Sequence, residues 1–346
     1  MMEQKREKLE YLTELRAFAC IAIVFLHTFY AANAYAAEFS QRVTDLCVRN
    51  LMMWAVPCFV MISGSLLLNA SRTITYSKLF KKYIWRMIAV LLLFSVAFQI
   101  MDTAVAGEAF GVSVIMTGLK NALFGSGWKH MWYIYLMIGI YLLLPFYRKI
   151  ASALDKKDAY YLLAVYLVFL SVLPMVETIT EKKTAFYICV YSVYALYLFL
   201  GYALVSGLVT IPRWLSAVFA SVGTLGVAMM TFFGEKLQIE AISDLLSSYG
   251  FPLILIQSVG IFELMRTKKA KTPRFISIIL EQIDYCSFGI YLLHMAFLKA
   301  LFVYLSWNPY EHGGTPMVLL IAVAVTIVTF AVIRLLKMIP GLKNIL

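Results

Sequence analysis

Runs of about twenty predominantly apolar residues return ten times along this chain, and no other feature narrows its fold as sharply. A bilayer's hydrocarbon core is about 30 Å thick and takes about 20 helical residues to cross. Inside it no water is available to satisfy the backbone, so amides and carbonyls must pair within the protein, which leaves helices or a closed barrel. Unbroken apolar windows of this length are helical. The predicted spans cover residues 15–36, 51–69, 84–103, 131–147, 159–175, 185–205, 214–233, 246–264, 288–306 and 316–333. With 62% hydrophobic and only 14% charged residues over 346 positions, a soluble domain is excluded. The expected fold is all-α, a polytopic membrane helical bundle of about ten transmembrane helices.

A net charge of +11 would suggest nucleic acid in a soluble protein, but here it is read loop by loop. With the N-terminus inside, 22 of the 30 lysines and arginines fall on inner segments and seven on outer ones, with Lys299 inside the ninth span. Cytoplasmic loops carry such an excess. Both termini are therefore expected in the cytoplasm, and the lipid bilayer, not nucleic acid, is the expected partner. The leader 1–14 runs into a full-length span without a small-residue cleavage site, so the first helix is expected to stay. Residues 1–346 read as a single membrane domain with a short cytoplasmic tail at 334–346, without internal repeat or linker.

The outer connections are softer. Residues 38–50 are amphipathic and 107–127 are glycine-rich and poor in charge, as interfacial or re-entrant segments are. Cys20, Cys47, Cys58, Cys189 and Cys286 are scattered and lack metal-ligand spacing, so they read as small core residues, and no metal is expected.

The first span carries an arginine at its entrance and a histidine near its middle. Arg16 and His27 are eleven residues apart, almost three whole turns, so they share one face about 16 Å apart. Ionisable groups within a span normally face a cavity or the bundle interior. Burial favours the neutral imidazole, which leaves His27 able to accept a proton, as a general base must. The bland alternatives are an inner-leaflet anchor for Arg16 and packing for His27. At the mouth of the third span, Lys82 and Arg86 are four apart on one helical face, an arrangement suited to phosphate groups or to anchoring. On the outer side His130, Trp132 and Tyr133 open the fourth span, where they serve either a polar acceptor such as a sugar or an aromatic belt. His294 lies several turns into the ninth span, Lys299 beyond it is expected to snorkel outward, and His312 reads as surface.

Five segments in register resemble the bacterial acyltransferase 3 family: Arg16 and His27 in the first span, Val56-Pro-Cys-Phe-Val-Met-Ile-Ser-Gly64, the basic opening of the third span, His130-Met-Trp-Tyr-Ile-Tyr135 with the later Pro145, and Phe288-Gly-Ile-Tyr-Leu-Leu-His294. Ala17, Tyr83 and Met295 depart from that pattern, standing where glycine, a basic residue and proline are common. The likeness is to the branch without an appended domain, which includes surface-polysaccharide O-acetyltransferases and the membrane halves of vancomycin-type serine racemases. It implies a multi-pass protein of the bacterial cytoplasmic membrane that moves an acetyl or short acyl group from cytosolic acyl-CoA to a hydroxyl. The acceptor would be a cell-surface glycan, a lipid-linked precursor or a small hydroxylated molecule. By the same resemblance His27 would be catalytic and Arg16 would sit near the donor, helped by Lys82 and Arg86. His130, Trp132, Tyr133 and His294 are the expected acceptor-side residues. The sequence leaves open whether His27 acts as a base or carries the acyl group, and whether the chain forms a homo-oligomer. A transporter of a small polar solute or glycan is the competing reading, and a sensing subunit with a degenerate site is a third.

Overall fold

The computed structural model describes residues 2–186 and 192–346, with side chains from residue 10 onward. Cys189, the first part of the sixth predicted span and the side chains of Lys5, Arg6 and Lys8 lie outside the described residues. The described elements are helices and turns, without a strand among them. In chain order they are α1 (Met2–Ala32), α2 (Phe39–Leu51), α3 (Ala55–Leu67), α4 (Trp85–Val105), α5 (Val112–Phe124), α6 (Trp132–Ala153), α7 (Lys156–Leu167) and α8 (Leu173–Thr180). Then come α9 (Val193–Ser206), α10 (Arg213–Leu237), α11 (Glu240–Leu246), α12 (Pro252–Arg266), α13 (Arg274–Lys299), α14 (Thr315–Leu336) and α15 (Pro340–Ile345).

Among the described residues, eight helical segments are long and apolar enough to cross a bilayer by length and composition. Two further predicted spans are shorter: α9 has 14 residues and α12 has 15, about 21 to 23 Å of helix. Both still join the two ends of the bundle. A helix shorter than the hydrocarbon core is tolerated where protein surrounds it. Leu196, Tyr197, Leu198 and Leu204 of α9 and Ile254, Ser258, Phe262 and Glu263 of α12 are all at most 1% exposed. The predicted span 246–264 began before α12 because Leu246, Tyr249 and Phe251, ahead of the helix, are themselves apolar or aromatic.

Side-chain contacts sort the connections into two sets. At one end Lys268 reaches Glu14, Arg213 reaches the Leu264 carbonyl, and Arg148 closes on the carbonyls of Leu67, Asn69 and Arg72. These segments are all basic. At the other end Arg49 reaches Ser247, Tyr310 reaches Asp45, and Lys299 reaches Asp102. The expected inner and outer segments gather separately.

The first helix lies at the centre. In its most apolar window 61% of residues are buried, against 11% for Lys156–Thr180, which sits at the rim. Two helix pairs form a rigid wall beside it. Gly64 on α3 lies against the Leu198 backbone on α9, and Gly201 on α9 lies against the Met61 backbone, so a β-carbon at either would overlap main chain. Gly223 on α10 meets Gln257 on α12 in the same way, its β-carbon position 2.6 Å from the Gln257 side chain. Small residues are how membrane helices approach closely when hydrophobic burial offers little net drive. Gly201→Ala is expected to cost about 3 kcal/mol, the upper end for overpacking because the obstacle is backbone. Gly139→Ala, with open space around it, should leave stability unchanged or slightly raised. Thermal unfolding in detergent micelles compares the two.

Candidate active site

The site is built on α1 and α13, which run parallel in a fixed register. The Cys20 thiol donates to the Ser287 carbonyl at 3.5 Å, His27 Nδ1 lies 3.0 Å from His294 Nε2, and the Tyr35 hydroxyl donates to the Phe302 carbonyl, each pair separated by 267 residues. Arg16 pairs with Asp284 one position off that register, Nε to Oδ1 at 3.0 Å. Local periodicity explains the ladder. Arg16, Cys20, Ile23 and His27 recur every three or four residues on α1, and Asp284, Ser287, Tyr291 and His294 do so on α13, so each helix turns one polar-studded stripe to its neighbour.

Two cavities open along this seam. The inner one, about 220 Å³, begins at Arg16 and Arg86 and runs past Ser63, Tyr141, Ser287 and Tyr291 to His27. The outer one, about 740 Å³, is lined by Arg49, Gln99, Asp102, Asn121, Trp128 and His130 and also reaches His27. Leu26, His27, Trp132 and Tyr249 belong to both. His27 therefore stands where the two cavities adjoin.

The polar groups of the seam are held by named partners. His294 is fully buried, and its Nδ1 lies 3.0 Å from the Ile290 carbonyl one turn back on α13. His27 and His294 have ring centroids 5.0 Å apart, and His130 lies 5.9 Å from His294 on the other side. His130 Nε2 is 3.1 Å from the Leu292 carbonyl, while its Nδ1 is buried without a partner. The Tyr291 hydroxyl donates to the His130 carbonyl, which ties the start of α6 to α13. Tyr133 packs edge-on against Tyr291, and Trp132 packs against Tyr194 and Tyr249.

Other expected site residues are distributed differently. Arg86 lines the inner cavity, stacks over Phe288, and donates from Nε and Nη2 to the carbonyls of Ile345 and Leu346, each at 2.9 Å. Lys82 is exposed and does not line it. A π-helical turn at Leu79–Ile84 precedes α4. Lys299 sits at the outer end of α13 and lines the outer cavity. It pairs with Asp102 and lies 4.4 Å from the centre of the Trp128 ring. Asp102 also accepts from the Tyr304 hydroxyl and, at 2.9 Å, from Trp128 Nε1, while Trp128 stacks flat on Phe98. His312 is exposed and stacks on Trp307.

Sequence reasoning missed Asp284, Asp102, Arg49 and Tyr249 as parts of the site. Asp284 and Asp102 carried a usable signal, each being a carboxylate on an otherwise apolar helix with a basic residue to find; Tyr249 had none, lying in a loop among 22 tyrosines. The Lys299–Asp102 pair, with side chains 26% and 33% exposed, should show a coupling of about 1 kcal/mol, between surface and buried limits. Thermal melts of Asp102→Asn, Lys299→Met and the double variant supply that cycle.

A family model for an acyltransferase domain matches residues 9–336. No curated protein and no solved structure matches the chain.

Proposed function

The chain belongs to the acyltransferase 3 family and is a multi-pass membrane acyltransferase, and on that premise we propose that it transfers an acetyl or short acyl group from cytosolic acyl-CoA to a hydroxyl presented from the opposite face. The observation that carries this reading is that His27 lines both cavities, so a donor from the basic end and an acceptor from the other end share one imidazole. Arg16 and Arg86 put two guanidinium groups at the inner mouth, the chemistry that holds phosphates by charge-assisted hydrogen bonds. The narrow, largely aromatic and apolar cavity beyond them suits a slender uncharged arm bearing a thioester.

In the outer cavity Trp132 and Tyr249 offer aromatic faces, and Gln99, Asn121 and Ser247 offer hydrogen bonds, a combination that fits a hydroxylated ring such as a glycan unit. The acceptor oxygen attacks the thioester carbonyl carbon while His27 takes the hydroxyl proton. The carbon–sulfur bond then breaks, the sulfur leaves as thiolate, and the imidazolium returns the proton to it. If His27 itself attacks first, the same bonds break in two steps through an acyl-imidazole. The setting for this chemistry is the bacterial cytoplasmic membrane.

Purified protein supplied with acetyl-CoA and a hydroxylated acceptor should release CoA thiol, and His27→Ala should lower turnover by at least about 10²-fold. Arg16→Ala should raise the KM for acetyl-CoA about tenfold, equivalent to about 1.4 kcal/mol, and leave the acceptor KM within about twofold. Equal effects on both substrates would remove Arg16 from the donor site. Solute flux through reconstituted protein without acyl-CoA consumption would favour the transporter reading.

A further inference from the structure

Taking His27 as the catalytic imidazole proposed above, we infer that His294 is a positioning residue that fixes the His27 tautomer, leaving the Nε2 lone pair free at the junction of the cavities.

The Ile290 oxygen carries no proton, so the 3.0 Å contact to His294 Nδ1 is a hydrogen bond only if that nitrogen is protonated. A neutral imidazole protonated at Nδ1 has its lone pair on Nε2, and His294 Nε2 lies 3.0 Å from His27 Nδ1. That lone pair is buried between two helices and is satisfied only by an N–H, so the His27 proton resides on Nδ1. His27 Nε2 is then the unprotonated nitrogen. It makes no hydrogen bond among the described residues, and its ring lines both cavities.

The alternative, a His294 imidazolium donating from both nitrogens, would reverse this order and cap the reactive nitrogen with a proton. It would also leave a cation without a counter-charge. Neither ring contacts a carboxylate, and the two acidic side chains of the seam are engaged elsewhere, Asp284 with Arg16 and Asp102 with Lys299, Tyr304 and Trp128. The third imidazole does not compete, since His130 donates its own Nε2–H to the Leu292 carbonyl. The device depends on the helix register. Only the offset of 267 residues, shared by the Cys20–Ser287 and Tyr35–Phe302 contacts, brings the ring of residue 294 behind that of residue 27.

The arrangement does for His27 what a buried carboxylate does for the histidine of a serine-protease triad, where supplying the wrong tautomer lowers turnover by about 10⁴-fold. The partner here is neutral, so it orients without adding charge.

Two variants and one spectroscopic measurement on the full-length protein in nanodiscs test this. His294→Leu should lower kcat by about 10²- to 10⁴-fold with the acetyl-CoA KM within about twofold. His294→Gln, whose side-chain oxygen still accepts from His27 Nδ1–H, should recover at least about tenfold of that loss. With ring-¹⁵N-labelled histidine, His27, identified by the resonances lost in His27→Ala, should show an unprotonated Nε2 and a protonated Nδ1 in the wild type. A folded His294→Leu that keeps wild-type kcat, or a wild-type His27 protonated at Nε2, overturns the inference. The ¹⁵N result decides even if the leucine variant does not fold. Full turnover by His27→Ala would sink the catalytic reading of His27 itself, whereas an inactive His27→Ala beside a fully active His294→Leu sinks only the role given to His294.

Discussion

The parallel register between the first helix and the helix at 274–299 is the constraint on which the rest of the structure depends. It is built from contacts of different chemistry: an ion pair at Arg16–Asp284, a thiol on a carbonyl at Cys20–Ser287, two imidazoles at His27–His294, and a phenol on a carbonyl at Tyr35–Phe302. In hydrocarbon an unpartnered polar group is expensive, so polar atoms paired across the seam exclude slippage. A shift of one residue would leave several buried polar groups without partners at once. Specificity of register thus follows from polar groups that add little to net stability.

Charge is confined by the same economy of partners. Each ionised group in the interior of the seam has a named neighbour, and the larger clusters lie at the two ends of the bundle, Glu14 with Lys268 and Thr272 at one and Asp102 with Lys299, Trp128 and Tyr304 at the other. The first ties the start of the central helix to the loop before the helix at 274–299, and the second ties the far end of that helix to the segment bearing His130. These two braces hold both ends of the seam, while its middle, where the cavities meet, holds the His27–His294 contact.

Close glycine packing sets where space is left. The pairs Ala55–Leu67 with Val193–Ser206, and Arg213–Leu237 with Pro252–Arg266, approach at glycines with no room for a β-carbon, and so form an incompressible wall. On the opposite side residues of 128–141 and of the helix at 85–105 complete the lining of the space between. The cavities lie in that gap, with Trp132 and Tyr249 shared between them at the level of His27.

The amino-acid sequence by itself determined the helical membrane class, the separation of basic from less basic connections, and the shared stripe of Arg16 and His27. Each of these is a local property: apolar length against bilayer thickness, loop charge, and the 3.6-residue turn. Which polar groups meet was decided only in the tertiary structure. Asp284 takes up Arg16, Asp102 takes up Lys299, and His294 sits behind His27, contacts made across 197 to 268 residues of chain. Lys82 likewise stays at the surface, while Arg86 lines the inner cavity and meets the backbone at 345–346. A helical period states which side chains share a face, but not which helix that face will find, because neighbours in a bundle are selected by the packing of all the helices together.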